Sequence, residues 1–213
     1  MDEIEIENAG IKDADMILNW RNDPMSLANS FSSEKIDKAN HKIWFRQILK
    51  NANSLILIGK FCQTNEPIGM VRFETIDDTF ALVSIVVDAQ WRGRGLSSKL
   101  LSMAVRKYLD QLVRVLIAEV KPENVASQRC FQKSGFVLYQ REDKKFTYVN
   151  KSVIIDEIEK VRSRNNVNWM DLMRLCFQAA PKEAEKIFSK INTDDEAIAT
   201  LLRQLSIKLP KEE

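Results

Sequence analysis

The sequence predicts a mixed α/β fold: a mostly antiparallel central sheet flanked by helices, with a small helical appendage at the C-terminus. Three consecutive apolar runs with short polar links, Ser54–Ile58, Ile68–Thr75 and Phe80–Val87, are typical of an antiparallel meander. From Gly95 onward helical and strand patterns alternate, which indicates parallel pairing through helical crossovers. Around Asp156 the chain becomes strongly charged, and further helical patterns follow. The sheet is therefore expected to be mixed.

The N-terminal third predicts one strand and two helices. Ile4–Glu7 alternates apolar and acidic side chains, as a half-buried edge strand does. Asp13–Asn22 has helical spacing and ends before Pro24, since the residue before a proline disfavours the helical conformation. Met25–Lys38 is polar and is expected to be irregular. A second helix is expected to start near Asn40.

The alternating half begins after the meander, whose last turn is expected at Asp77 and Asp78. Its apolar residues switch between the helical and the strand period. The predicted order is helix, strand, helix and the start of a strand, over Gly95–Asp110, Val113–Val120, Asn124–Ser134 and Phe136–Tyr139.

Two domains are expected, residues 1–155 and residues 156–213. The stretch 162–166 is charged and predicts an exposed connector, and three helical segments follow it. Pro181 suits a first helical position, and Thr193 with Glu196 fits a capping box. So small an appendage is expected to pack on the main domain, on a second copy in a homodimer, or on another partner. The segments place these residues on shared faces: Trp169, Leu172, Met173 and Cys176; Ala184, Ile187, Phe188 and Ile191; Ile198, Leu201, Leu202 and Leu205.

Composition excludes several functional classes. Hydrophobic residues make up 45% and charged residues 29%, as in a globular protein, and the formal net charge is only +2, which disfavours bulk nucleic-acid binding. The longest apolar runs are too short to span a membrane, and the acidic N-terminus lacks a signal-peptide pattern. Three scattered cysteines and the single His41 predict neither a disulfide framework nor a metal site. We expect a reduced, cytoplasmic protein without a metal.

The segment Asp88–Leu96 carries the clearest chemical signal. It lies between an apolar strand and an amphipathic helix, and Gly93 and Gly95 allow the backbone to approach a ligand closely. The first amides of the helix then point at the ligand, and the helix dipole favours an anion. Arg92 and Arg94 add positive charge for phosphate oxygens. These features predict a phosphate or diphosphate cradle that is neither a Walker loop nor a dinucleotide fingerprint.

The pattern Gln90-x-x-Gly93-x-Gly95 resembles the acetyl-CoA pyrophosphate loop of the GNAT superfamily of N-acetyltransferases. Downstream, Asn124-x-x-Ser127 and the run 131–136 (FQKSGF) resemble the second motif of that family. The resemblance covers about residues 1–150, and the order of strands and helices agrees with it independently.

The resemblance implies a set of contacts to the cosubstrate acetyl-CoA. The backbone of Ile85, Val86 and Val87 would pair with pantetheine in a gap between two strands. Asn124 and Ser127 would contact the pantetheine or phosphate arm. The amides that would hold the diphosphate, and the second-motif side chains that would line the cosubstrate site, belong to Arg92, Gly93, Arg94, Gly95, Leu96, Ser97, Phe131 and Lys133.

The proton-transfer groups follow less directly. Phe131 stands where many family members have a tyrosine that protonates the leaving thiolate, so no side-chain acid acts there, unless Cys130 or Tyr139 substitutes. A neutral amine that attacks a thioester must lose a proton, and a carboxylate acting through water can accept it. Glu74 and Glu119, near the ends of two predicted strands, are the candidate bases.

The acceptor is expected to be a small-molecule amine. The N-terminal third resembles ribosomal-protein N-terminal acetyltransferases and nucleotide-sugar N-acetyltransferases, and residues 68–73 and 81–85 look most like the amino-sugar enzymes of nonulosonic acid pathways. The resemblance implies a UDP-linked amino sugar as acceptor. From their chemistry, Arg21, His41 and Arg72 are the expected donors to its diphosphate, and Trp44 or Phe45 is the expected stacking surface. A peptide α-amine is the second possibility. A non-catalytic acyl-CoA-binding module is the third.

Overall fold

Seven strands form one sheet in the order β1-β2-β3-β4-β5-β7-β6. The structure is a computed structural model that describes residues 3–151, 154–156, 158–160 and 181–206. The strands are β1 (Ile4–Asn8), β2 (Ser54–Phe61), β3 (Pro67–Thr75), β4 (Phe80–Val87), β5 (Val115–Val120), β6 (Val137–Arg141) and β7 (Phe146–Asn150).

Only β4 and β5 pair in parallel within this sheet, and the other neighbours are antiparallel. The predicted mixed, mostly antiparallel α/β fold is therefore confirmed. The strand order differs from the alternating pattern at one place, because β7 lies between β5 and β6 and is antiparallel to both. Strand β7 itself was not predicted. It forms an antiparallel hairpin with β6, so no crossover helix precedes it, and the alternation of helices and strands does not indicate it.

Five α-helices lie within the described residues 3–151. They are α1 (Ala14–Asn22), α2 (Pro24–Asn29), α3 (Lys38–Ile48), α4 (Leu96–Leu109) and α5 (Val125–Lys133). The expectation that Met25–Lys38 is irregular is wrong for its first residues, which form α2. The Asp23 side chain accepts hydrogen bonds from the amides of Met25 and Ser26, and Pro24 takes the first helical position. Asp23 and Pro24 are thus a helix start as well as a helix stop.

The helices cover both faces of the sheet. Successive side chains of a strand point to opposite faces, so Ile56 and Ile58 pack with Phe45 of α3 while Leu57 packs with Leu100 of α4. The dense apolar run of β2 is therefore buried on both sides. The result is three layers: α1 and α3, the sheet, and α4 with α5.

The chain divides into two compact units, residues 1–150 and residues 151–213. In the second unit, Pro181–Ser206 is one continuous helix, so the two segments predicted on either side of Thr193 are a single helix. Thr193 does not begin a helix there: its Oγ1 donates to the Ser189 carbonyl at 3.1 Å. The predicted connector 162–166 and the segment with Trp169 to Cys176 lie outside the described residues. No helix among the described residues has both the length and the apolar character needed to cross a membrane.

Candidate active site

A gap opens in the middle of the sheet where β4 and β5 separate. Their parallel pairing runs from Phe80 opposite Val115 to Leu82 opposite Ile117 and, in the described chain, goes no further. On its other edge β4 stays paired with β3 as far as Val87. The backbone groups of β4 that face the gap therefore need another partner. An extended ligand with amide groups can supply one by lying in the gap like an added strand.

The glycine loop lies at the end of β4, at one end of this gap. Gly93 and Gly95 have φ values of +75° and +74°, a backbone region that residues with a side chain rarely adopt. A Cβ atom on either glycine would meet no atom within 4 Å. Among the described residues, no backbone hydrogen bond occupies the amides of Gly93, Arg94 or Gly95. Gly95 is the N-cap of α4, whose first amides also lack intrahelical partners. The loop is an open cradle of N–H groups, as an anionic diphosphate requires.

The two arginines of this loop have other contacts. The Arg92 guanidinium lies 2.7 Å from Asp23 and donates to the Ser26 hydroxyl at 3.1 Å and to the Val87 carbonyl at 3.0 Å. The exposed Arg94 guanidinium lies over the Trp91 ring, 4.9 Å from its centroid. Arg92 thus ties the glycine loop to α2, and backbone amides are left as the main anion-binding groups.

The Asp23–Arg92 ion pair predicts a loss of stability in acid. Burial acts to raise the pKa of Asp23, but the hydrogen bonds from Arg92 and from the amides of Ser26 and Met25 outweigh it, so this pKa is lowered. A lowered pKa stabilises the fold above the unfolded value of about 3.9, and this stabilisation is lost as the pH falls through the folded value. We expect Asp23→Asn to lower the free energy of unfolding by about 1–2 kcal/mol at pH 7. Thermal unfolding between pH 7 and pH 2.5 measures it.

Asp15→Asn is the matched control for this prediction. Asp15 pairs with Lys38 at 3.0 Å, but both side chains are more than half exposed, so solvent screens the pair. Its removal should leave the acid slope nearly unchanged, whereas Asp23→Asn should flatten it. Equal slopes in the two variants would contradict the role given to Asp23.

The start of α5 forms another wall of the site. The side-chain oxygen Oδ1 of Asn124 accepts a hydrogen bond from the Ser127 amide at 3.0 Å, so Asn124 is the N-cap of α5. Asn124 also lines the cavity described below. Phe131 is buried and packs edge-on against Phe136, with ring centroids 5.1 Å apart. Its ring offers hydrocarbon where a tyrosine would offer a hydroxyl.

The remaining candidates near α5 differ in position. Cys130 is buried at the cavity wall, and burial raises the pKa of its thiol, although a hydrogen bond with Ser97 opposes this shift. Tyr139 lies on β6, is 47% exposed and does not line the cavity. Lys133 is also exposed and outside the cavity wall. Of the two candidate acids, only Cys130 borders the site.

Both candidate bases line the cavity, and both are ion-paired. The Glu74 carboxylate lies 2.9 Å from Arg72 on the same strand, β3. The Glu119 carboxylate on β5 lies 3.0 Å from Lys145, whose side chain is only 14% exposed. Each pair holds its carboxylate at a fixed place, with Glu119 on the strand that borders the gap.

One cavity of about 920 Å³ extends from the gap and the glycine loop to the space beside α1, α2 and α3. It brings together most of the residues predicted from the sequence and leaves out Arg94, Lys133 and Tyr139. The predicted residues that line it are Arg21, His41, Trp44, Arg72, Glu74, Ile85, Val86, Val87, Arg92, Gly93, Gly95, Leu96, Ser97, Glu119, Asn124, Ser127, Cys130 and Phe131.

Positive charge marks the end of the cavity beside α1 and α3. Arg21 donates to the Ser30 hydroxyl at 2.6 Å and, among the described residues, has no carboxylate within ion-pair distance. Burial and the nearby charge of Arg72 lower the pKa of Arg21. The Arg72 guanidinium also lies over the Trp44 ring, 5.8 Å from its centroid. This end therefore suits a group that carries negative charge.

Sequence reasoning missed the part of this wall that follows α1. The segment expected to be irregular supplies several lining side chains from α2 and from the loop after it. Its Asp-Pro helix start is the signal that predicts the first of them. Outside the sheet, the missed lining residues after α1 are Met25, Ser26, Asn29, Ser30, Phe31, Ile36 and Asn40. The other lining residues not predicted as site residues are Ile17, Met70, Leu82, Val83, Ser84, Trp91, Val120 and Ala126.

Solved structures with the same fold are acetyltransferases or share their architecture. A domain from Methanocaldococcus jannaschii has a TM-score of 0.61 at 17% identity, over 70% of this chain and 98% of that one. Spermidine N-acetyltransferase from Vibrio cholerae, solved with CoA and spermine, has a TM-score of 0.61 at 14% identity, over 68% and 92%. Aminoglycoside acetyltransferase AAC(6')-Ib, solved with coenzyme A and kanamycin, has a TM-score of 0.59 at 16% identity, over 72% and 98%. At such identities the likeness concerns the fold alone.

The family comparison is more specific. A comparison with the curated proteins finds no match. The model of the acetyltransferase (GNAT) family matches residues 14–136, which include the glycine loop, both strands that border the gap and helix α5. Because this match spans more than half of the chain, the protein belongs to the GNAT family of acetyltransferases.

Proposed function

We propose that the protein transfers acetyl from acetyl-CoA to the amino group of a nucleotide-linked amino sugar, by direct attack in a ternary complex. The observation that carries the acceptor class is the charge of the cavity beside α1 and α3. Arg21 and Arg72 line it, and the carboxylate of Glu74 is paired with Arg72. A sugar diphosphate is attracted there, whereas a polyamine such as spermine, which a similar structure binds, is repelled.

Acetyl-CoA is assigned to the gap and the glycine loop. Pantetheine pairs with the main chain of Ile85–Val87, and the amides from Arg92 to Ser97 hold the diphosphate. Asn124 and Ser127 contact the pantetheine or phosphate arm of acetyl-CoA. The open edge of β4, the left-handed φ of both loop glycines and the common cavity support this assignment.

The chemistry needs one proton acceptor and one proton donor. The amine nitrogen bonds to the acetyl carbon, the carbon–sulfur bond breaks, and one proton leaves the nitrogen while the thiolate gains one. We assign the acceptor role to Glu119, through a water molecule, because its strand borders the gap; Glu74 is the alternative. Cys130 is the one proposed acid that lines the cavity, and solvent is the other source of the proton.

A peptide acceptor is the runner-up. A non-catalytic acyl-CoA-binding module is the other alternative, favoured by the buried hydrocarbon ring of Phe131. The first proposal predicts that the protein acetylates a UDP-linked 4-amino-4,6-dideoxy sugar with a kcat/KM at least about tenfold above that for peptides or spermine, as expected when one charge-assisted contact is lost. Mass spectrometry of the product, with calorimetry for acetyl-CoA, measures both steps.

Each outcome selects one candidate. Turnover of the sugar alone supports the first proposal, and turnover of peptides alone supports the peptide acceptor. Heat of binding with acetyl-CoA but no turnover of any amine supports the binding module. Arg21→Met should raise the KM for the UDP-linked sugar while the affinity for acetyl-CoA stays unchanged; an unchanged KM would contradict the charge argument.

A further inference from the structure

The buried imidazole of His41 is an unexplained polar group in this cavity. The residue lies on α3, is 1% exposed and lines the cavity. Within the described chain, neither its Nδ1 nor its Nε2 has a hydrogen-bond partner. Its ring packs against Phe45, with centroids 5.6 Å apart and planes 17° apart, and against Trp44 at 5.4 Å. The aromatic neighbours thus pack against the imidazole ring, and both of its nitrogens remain without a hydrogen-bond partner within the described chain.

Such a group destabilises the fold by itself. A buried nitrogen without a partner loses its bonds to water and gains none, so most buried polar atoms in proteins are paired. A phenylalanine would fill the same space beside Phe45 without that cost. The persistence of two orphaned nitrogens at a cavity wall points to a ligand that completes them.

The charge state limits the ligand chemistry. Burial lowers the pKa of His41, against the opposing effect of the Asp15 carboxylate, so the ring is neutral at pH 7. A neutral imidazole donates from one nitrogen and accepts at the other. It is thus a weaker partner for phosphate than the guanidinium groups of Arg21 and Arg72, which line the same cavity. A hydroxyl group, which both donates and accepts, matches it.

We infer that His41 recognises the acceptor by hydrogen bonding to hydroxyl groups of its sugar, while Arg21 and Arg72 take the diphosphate. The inference rests on the proposed function and deepens it, because it requires an acceptor with hydroxyls and an anionic group together. It also changes the role expected for His41. The sequence predicts that His41 donates to the diphosphate, whereas the inference assigns it to the hydroxyl groups of the sugar. Trp44 contacts His41, lines the same cavity and lies beneath the Arg72 guanidinium, so it adds apolar surface next to both proposed contacts.

Two substitutions separate recognition from packing, because the two roles predict opposite orders. His41→Phe keeps an aromatic ring against Phe45 but removes both nitrogens, whereas His41→Gln keeps a donor and an acceptor but packs less well. For recognition, we expect the KM for a UDP-linked 4-amino-4,6-dideoxy sugar to rise at least about tenfold in His41→Phe and less in His41→Gln. Affinity for acetyl-CoA should stay unchanged in both.

The thermal stabilities give a readout that does not depend on the acceptor. Removal of two orphaned nitrogens should raise the Tm of His41→Phe by about 2–4 °C over the wild type. A lower Tm for this variant, or a KM equal to that of the wild type, would overturn the inference. If the wild type fails to acetylate the UDP-linked sugar, the proposed function falls, and the Tm of His41→Phe still decides whether the imidazole is orphaned.

Discussion

The Gly95→Ala variant is expected to bind acetyl-CoA at least about tenfold more weakly than the wild type. Gly95 has a φ of +74°, where a Cβ is strained, and its own Cβ would enter the open space before α4 in which the diphosphate is placed. Loss of one charge-assisted hydrogen bond costs about 1.5–3 kcal/mol, which corresponds to a tenfold to hundredfold change in the dissociation constant. Titration calorimetry with acetyl-CoA and with free CoA measures the effect.

Gly135→Ala provides the matched control for backbone strain. Gly135 has a φ of +84°, follows the end of α5 and does not line the cavity, and a Cβ there would only approach Asn150 Nδ2 at 3.4 Å. Both variants should lose a similar part of their thermal stability, and only Gly95→Ala should lose affinity. Equal affinities in the two variants would contradict the cradle, and with it the assignment of acetyl-CoA to this loop.

Local patterns in the sequence were enough to predict most of the fold. The β-branched composition and short length of β2, the short polar links of the meander and the helical period after the glycines each favour one element type. The failures are at places where the neighbouring elements matter more than the local pattern. Strand β7 (FTYVN) contains four strand-favouring residues and lies between β5 and β6, so its sequence carried a signal that the prediction missed. The capping-box pattern at Thr193 is overridden inside the helix Pro181–Ser206, which continues through it.

The site shows the same division between backbone and side chains. The glycine loop was predictable because a positive φ restricts the residue type at the position itself. The roles of the charged side chains were not, because Arg92 is ion-paired with Asp23, a residue 69 positions earlier in the chain. The two orphaned nitrogens of His41 were equally hidden, since a lone histidine in a helical pattern gives no sign of what surrounds its ring.

Substitution of Glu119 by glutamine is expected to lower kcat by about 10²–10⁴-fold, the usual contribution of a general base. Glutamine has nearly the same shape and still accepts a hydrogen bond from Lys145, which lies 3.0 Å from the carboxylate, so the fold and the affinity for acetyl-CoA should be retained. Single-turnover kinetics with a saturating acceptor separate this loss in the chemical step from any change in binding.

Glu74→Gln is the control that distinguishes the two carboxylates, because Glu74 also lines the cavity and also has a cationic partner, Arg72. It should change the KM for the acceptor, through Arg72, more than it changes kcat. If Glu119 is the base, the single-turnover rate should fall in Glu119→Gln and stay near the wild-type value in Glu74→Gln. The reverse result would transfer the role to Glu74, and a retained rate in both variants would mean that water or a backbone carbonyl accepts the proton without a carboxylate.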